Sequence, residues 1–260
     1  MELVDVIKPW LLALVLAVPR LTGLLLMLPF MSQQMLPGQV RNTLIVVLAL
    51  PLLPSMREHV PTEPVFLHLL GLVAKELLLG VAIGFSVAIL FWAIEGLGFF
   101  IDNQRGTTMA SSVSPMTGEQ TSPLGLFLSQ TLSVFFLVGG GLLALLLLVY
   151  ESYDFWPVTA FTPQVSSSTA LYFLGLLDEL MVATVFYAAP VVIAMFLAEL
   201  ALGLISRFTP QLNVFFLAMP IKSGIAFFVL ILYLGVLLQV FAEGLGALDA
   251  RLLMLRKVLE

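Results

Sequence analysis

The sequence predicts an all-α integral membrane protein, and three observations support this prediction. Hydrophobic residues make up 60% and charged residues 10% of the 260 residues, whereas soluble domains contain about 45–50% and about 25% of these two classes. Several apolar runs reach the roughly 20 residues that a helix needs to cross a bilayer. Two runs exceed that length and charged residues lie inside them, so we expect overlong and broken helices.

The N-terminal part contains three apolar runs. Residues 10–31 are long enough for one membrane helix, and the chain start lacks the basic region of a cleaved signal peptide, so we expect this helix to be retained. Residues 42–56 form a short run with two prolines, which predicts half of a hairpin or a re-entrant piece. Residues 65–101 are too many for one untilted span, and Gly80 and Gly84 within them form a small face suited to close helix packing.

The C-terminal part contains three further runs. Residues 124–150 predict a span with a kink at the glycines of 139–141. Residues 171–204 are again overlong, and residues 212–241 are interrupted by Pro220 and Lys222. An amphipathic tail follows, and its basic residues favour a cytoplasmic C-terminus. These are Arg251, Arg256 and Lys257.

A polar stretch, residues 102–122, separates two of the apolar runs. Irregular backbone cannot lie in lipid because its amide and carbonyl groups would be unpaired, so it must face water, protein or an aqueous conduit. An external loop is the plainest interpretation. Asp102 and Arg105 are three residues apart at the start of the stretch, which predicts that they pair.

Charged residues also lie inside or at the ends of apolar runs. They are Arg20, Glu95, Glu199, Arg207 and Lys222. At membrane depth such residues usually face protein or water and are paired, and the alternative is that they extend to the membrane interface. The interfacial alternative fits Arg20 less well, because Arg20 follows Pro19 in the middle of its apolar run. We expect Arg207 to meet Glu199 or a carboxylate of a partner.

The sequence does not predict catalysis. It has no cysteine, its two histidines are His59 and His68, and it contains neither a His-Glu-x-x-His nor a Gly-x-Ser-x-Gly pattern. A phosphate-binding loop and a dinucleotide fingerprint are also missing from the sequence. We therefore expect no catalytic residue, no cofactor and no metal. The net charge of -5 is spread along the chain, so we expect no nucleic-acid partner.

Residues 199–223 predict a helix, a polar break and a second helix. Pro210 ends the first helix, and Gln211 and Asn213 can satisfy the freed backbone groups of the break. Pro220 is expected to kink the second helix. A helical hairpin buried among protein neighbours fits this pattern.

This segment closely resembles the C-terminal signature of the type III secretion export-gate family, which includes the flagellar protein FliR and its injectisome counterpart SctT. Residues 102–118 resemble the second marked region of that family, and the resemblance covers most of the chain. Arg105-Gly106 and residues 150–153 look more like the injectisome, SctT-like branch than the flagellar one. An N-terminal series is also similar in position: Arg20, Pro29, Pro37, Gly38 and Arg41.

The resemblance implies a core subunit of the export gate, a multi-pass protein of the bacterial inner membrane that is partly raised toward the periplasm. It would form part of a conduit for unfolded secreted polypeptides. The fold implied is an SctR-like part, about residues 1–170 with the loop 102–123, fused to an SctS-like part, about residues 171–260. Implied partners are SctR-like and SctS-like subunits, an SctU-like switch protein, an SctV-like export-apparatus protein and membrane lipid.

The polar loop is similar in position to the plug of the family, which closes the channel from within. The resemblance implies these closing residues: Arg105, Gly106, Met109, Ser111, Ser112, Pro115, Met116 and Gly118. The two methionines could seal around varied side chains because methionine is apolar and adaptable, and ordinary packing is the alternative. The residues expected in assembly or buried polar contacts are Arg20, Glu199, Arg207, Gln211, Asn213 and Lys222.

Two other functions compete with the gate. A secondary transporter for a small solute also has broken helices and intramembrane charges, but it should show an inverted repeat and a short helix break instead of a long loop. A passive assembly scaffold is the other alternative. It differs from the gate only because its polar loop, residues 102–122, would not contact the channel lumen.

Overall fold

The computed structural model describes residues 2–31, 36–58, 66–107, 122–161, 167–209 and 214–259. Every regular element in these ranges is a helix, which confirms the all-α prediction. In chain order they are α1 (Glu2–Met27), a 3-10 turn (Pro29–Met31), α2 (Gly38–Ala49), a 3-10 turn (Leu50–Leu52), α3 (Leu53–Arg57), α4 (Phe66–Arg105), α5 (Pro123–Val138), α6 (Gly141–Phe155), α7 (Ser167–Phe208), α8 (Val214–Gly246) and α9 (Leu248–Leu259).

Five stretches of the described chain are long and apolar enough to cross a membrane. They are Val6–Met27, Gly38–Arg57, Phe66–Arg105, Ser167–Phe208 and Phe216–Gly246, and the bent pair α5–α6 would make a sixth if it is one span. The prediction of overlong helices is confirmed, since α4 has 40 residues and α7 has 42. At about 1.5 Å per residue each is roughly 60 Å long, about twice the hydrocarbon thickness of a bilayer.

The kink predicted at the glycine run is confirmed. Helix α5 ends at Val138, α6 begins at Gly141, and the two helices are bent by 72°. Gly140 between them has φ 78°, a left-handed conformation that glycine adopts without a steric penalty. A Cβ atom at Gly141 would collide with the ring of Phe136. The turn therefore depends on glycine at both positions.

Prolines interrupt the helices less than the sequence suggests. The prediction that residues 212–241 are broken is wrong, because α8 runs from Val214 to Gly246 with Pro220 inside it, as α7 does with Pro190. The short run predicted as half a hairpin forms α2, a 3-10 turn and α3, which together are a candidate span. A proline inside a membrane helix is tolerated where neighbouring groups satisfy the carbonyl that it frees.

The chain forms two compact units. The first contains Met1–Ile89, Phe135–Leu176 and Ala247–Glu260, and the second contains Leu90–Val134 and Leu177–Gly246. The long helices α4 and α7 each contribute to both units.

In the first unit, α1 and α4 touch through their backbones. A Cβ atom at Gly80 would collide with the carbonyl oxygen of Arg20, and one at Gly84 would lie 2.7 Å from the carbonyl oxygen of Leu24. This confirms the close-packing face predicted for the two glycines. The contact brings Arg20 beside the turn of α4 that precedes Gly80.

In the second unit, α4 and α5 make a similar contact. A Cβ atom at Gly98 would lie 2.5 Å from the amide nitrogen of Gly125, and one at Gly125 would lie 2.9 Å from the carbonyl oxygen of Glu95. The rings of Phe91 and Phe241 meet edge to face at 5.2 Å and join α4 to α8. These contacts hold the C-terminal half of α4 in place.

Candidate functional site

Three charged side chains form an ion cluster in the first unit: Arg20, Lys75 and Glu76. Arg20 and Glu76 are fully buried. The Arg20 guanidinium donates from Nε to Glu76 Oε2 at 2.7 Å and from Nη2 to Oε1 at 3.1 Å, while Lys75 Nζ lies 2.7 Å from the same Oε1. A single carboxylate thus pairs with two cations, and α1 is joined to α4.

Arg20 also reaches the end of α6. Its guanidinium donates from Nη1 to Ser152 Oγ at 2.9 Å and from Nη2 to the carbonyl oxygen of Trp156 at 2.8 Å. It lies 3.8 Å from the centre of the Tyr153 ring, whose hydroxyl donates to the carbonyl oxygen of Ala17 at 2.9 Å. One arginine therefore ties three helices of the first unit together, which explains how a charge in the middle of an apolar helix is accommodated.

Lys75 holds the segment that follows α6. Its ammonium group donates to the carbonyl oxygens of Pro157, Val158 and Ala160 at 3.0, 3.1 and 2.9 Å. These carbonyls lie beyond the end of α6 at Phe155, where the irregular backbone has no helical partners and needs other donors. The cations of the ion cluster thus satisfy Glu76 and also the backbone beyond α6.

A second polar site, the loop neck, lies in the other unit and consists of Asp102, Arg105, Ser122 and Leu124. Asp102 is buried and pairs with Arg105, which confirms the pairing predicted from their spacing. Ser122 Oγ donates to Asp102 Oδ2 at 2.7 Å, and the Leu124 amide donates to the same oxygen at 2.9 Å. The Asp102 carboxylate therefore caps the first turn of α5, where free amide groups favour an anion.

Hydrogen bonds at the end of α4 fix the start of the loop. Gly106 has φ 82° and its amide donates to the carbonyl oxygen of Asn103 at 3.1 Å, as expected where a glycine terminates a helix. The Thr107 hydroxyl and amide both donate to the carbonyl oxygen of Asp102, at 2.7 and 3.2 Å. The guanidinium of Arg105 lies 4.7 Å from the Phe227 ring centre. Both ends of the loop are thus fastened at Asp102.

Of the closing residues implied by the resemblance, Arg105 belongs to the loop neck and Gly106 follows it directly at the end of α4. The others lie outside the described residues: Met109, Ser111, Ser112, Pro115, Met116 and Gly118.

The predicted assembly residues fall in different places. Gln211 and Asn213 lie outside the described residues. Glu199 pairs with Lys222, whose Nζ lies 3.0 Å from Glu199 Oε2, so the prediction of an Arg207–Glu199 pair is wrong. Arg207 is exposed in the last turn of α7, and its contact with a carboxylate of a partner stays a prediction.

Sequence reasoning missed the partners of Arg20 and the capping role of Asp102. A signal for the first was present, because Glu76 lies in an apolar run one turn before Gly80, on the face expected to pack closely. A signal for the second was Ser122-Pro123, since proline favours the first position of a helix. Within the described ranges, no group of three or more His, Cys, Asp or Glu residues could hold a metal ion.

Comparison with known proteins supports the resemblance. The family of bacterial export proteins, family 1, matches residues 11–248. The chain is 45% identical to Yop proteins translocation protein T of Yersinia pestis, with 88% of each chain covered. It is 34% identical to surface presentation of antigens protein SpaR of Salmonella typhimurium (82% of this chain, 80% of the relative) and 33% identical to flagellar biosynthetic protein FliR of Bacillus subtilis (66% and 67%). The chain therefore belongs to the bacterial export proteins, family 1, which confirms its predicted membership of the FliR/SctT family.

Proposed function

We propose that this chain is a core subunit of a type III secretion export gate in the bacterial inner membrane. There it forms part of the conduit for unfolded polypeptides, and residues 105–118 help to close the channel. Family membership and the relatives named for protein translocation support the export role. They also favour it over the transport of a small solute.

The loop neck is the observation that carries the closing role. Asp102 accepts hydrogen bonds from Ser122 and from the Leu124 amide and also pairs with Arg105, so one buried carboxylate fastens both ends of the loop. A segment tethered at both ends can be displaced by a passing polypeptide and then return to the same place. A polar loop anchored between apolar helices also needs an aqueous or protein-lined space, which a conduit supplies.

Within the loop, Met109 and Met116 are proposed to seal the closed channel. Methionine is flexible and polarisable, so it adapts to surfaces of different shape. The small side chains between them, including Ser111 and Ser112, suit a crowded channel axis. Pro115 and Gly118 would shape the backbone between the two methionines.

The helices support a complex with other subunits. Only 17% of the most apolar stretch of α7 and 22% of that of α8 is buried within this chain, so large apolar faces remain for lipid or partner helices. We propose SctR-like and SctS-like subunits as these partners, with SctU-like and SctV-like proteins beside them, and parts resembling SctR and SctS at about residues 1–170 and 171–260. Helices of roughly 60 Å suit an assembly raised toward the periplasm.

Deletion of the chain tests the export role. Cells that lack it should assemble no complete gate and secrete no type III substrate, and the intact chain supplied on a plasmid should restore both. Affinity purification of the chain from membranes should coisolate two small hydrophobic subunits. A monomer or symmetric dimer that binds a small solute, in cells that secrete normally without the chain, would support a transporter instead.

A further inference from the structure

Glu95 is a carboxylate inside the candidate span Phe66–Arg105. Its side chain is only half-buried, and its carboxyl group is hydrogen-bonded to the buried hydroxyl of Ser129 on α5. Among the residues that the structure describes, the ion pairs use other carboxylates, namely Glu76, Asp102 and Glu199. Within the described residues Glu95 forms no ion pair, and it is less exposed than the other span carboxylates outside these pairs, Asp178, Glu179 and Glu243.

The packing around Glu95 fixes its position. Its own carbonyl oxygen would lie 2.9 Å from a Cβ atom at Gly125, and the next residue, Gly96, packs against Thr184 of α7, whose Oγ1 would lie 3.1 Å from a Cβ atom there. Thr184 also donates from its hydroxyl to the carbonyl oxygen of Ala93 at 3.3 Å. Helices α5 and α7 thus both pack closely against the turn of α4 that carries Glu95.

Aromatic side chains flank Glu95 on the same helix face. Trp92 precedes it by three residues and Phe99 follows it by four, spacings that place side chains side by side on a helix. The Phe99 side chain is 38% exposed. A carboxylate with aromatic residues at these positions of its helix is complementary to a cation, since the faces of aromatic rings also attract positive charge.

We propose that Glu95 receives a lysine or arginine side chain from a membrane helix of another gate subunit. Moving an ionised carboxylate from water into apolar surroundings costs free energy, and one hydroxyl partner compensates only part of this cost. A nearby cation offsets the rest. No lysine or arginine of the described residues forms an ion pair with Glu95, so we assign the cation to a partner. This inference rests on the proposed function, because it needs an assembly of different subunits.

The variant E95Q tests the role of the charge. Glutamine keeps the size of the side chain and a hydrogen bond to Ser129 but cannot form an ion pair. We expect the partner subunits coisolated per copy of the E95Q chain to fall roughly tenfold or more, with a matching loss of secretion. The matched control is E243Q, because Glu243 is exposed near the end of α8 and accepts a hydrogen bond from Gln239 of its own helix. It should behave as the unaltered chain.

Charge exchange separates loss of docking from misfolding. Suppressors of E95K are selected in the genes of the coisolated subunits, and we expect a change of one lysine or arginine to glutamate or aspartate in a membrane helix to restore coisolation and secretion. Normal coisolation of E95Q would overturn the proposal. A saturated screen without such a suppressor would also overturn it. If cells that lack the whole chain secrete normally, the proposed function itself is wrong. This result differs from normal coisolation of E95Q, which would overturn only the ion pair.

Discussion

Arg20 Nε lies 2.7 Å from Glu76 Oε2, and the two side chains are fully buried although 56 residues separate them in the chain. This pair is possible because Gly80 lets the backbones of α1 and α4 touch one turn away. The ion cluster is thus the polar counterpart of the glycine contact. The glycine contact and the ion pair depend on each other. Two helices packed so closely can bury an arginine only if a carboxylate lies opposite it.

Removal of the carboxylate from the ion cluster should destabilise the chain. In E76Q, the buried Arg20 and the partly buried Lys75 lose their counterion, and breaking a buried pair in this way costs about 3–5 kcal/mol. We expect a lower yield of the chain in membranes and unfolding at lower SDS fractions in mixed micelles. E58Q is the control, because Glu58 is exposed at the end of α3. Equal unfolding curves for E76Q and E58Q would show that the pair adds no stability.

The glycine contact makes a second prediction. G80A places a Cβ atom against the carbonyl oxygen of Arg20, so α1 must move away from α4 and the ion cluster must lengthen. The same change at Gly175 meets open space and should be neutral or slightly stabilising, since alanine favours helices more than glycine by about 1 kcal/mol. The SDS unfolding of both variants tests this, and a G80A chain as stable as G175A would contradict the close contact.

The loop neck predicts how the loop responds to proteolysis. D102A removes the acceptor for Ser122 and for the Leu124 amide and leaves Arg105 without its counterion. We expect faster cleavage between residues 107 and 122 in the purified complex. T131A is the control, because the Thr131 hydroxyl bonds only to the preceding turn of its own helix, at Phe127. Unchanged cleavage in D102A would show that the loop is held by other contacts.

The Lys222–Glu199 pair makes a fourth prediction. K222L leaves Glu199 without its cation and R207L removes an exposed charge, so we expect both to impair assembly or secretion without lowering synthesis. Coisolation of partner subunits and secretion are measured at equal chain levels. Full assembly and export in both variants would make these charges interfacial residues without a role in the complex.

Two kinds of contact could be predicted from the sequence: pairs of residues close together in the chain, and helix faces that pack closely against a neighbour. The spacing of Asp102 and Arg105 predicted their pair, and Gly80 with Gly84 predicted a close helix contact. Long-range partners could not be predicted, because any of several carboxylates could have met Arg20. Sequence proximity misled at Glu199, which Arg207 follows by two turns but Lys222 reaches from α8. The break predicted at Pro220 is wrong, because this proline lies inside the continuous helix α8, and a membrane helix tolerates proline where neighbouring groups satisfy the freed carbonyl.

The loop fastened at Asp102 is proposed to close a conduit. The most direct measurement compares the permeability of membranes to small solutes between the intact chain and a variant that lacks residues 107–117, at equal abundance of the complex. The helices would supply the energy of assembly and the loop a steric obstacle. We therefore expect the deletion to retain assembly and increase the leak. Unchanged permeability together with normal export would contradict the closing role and make the segment an external loop.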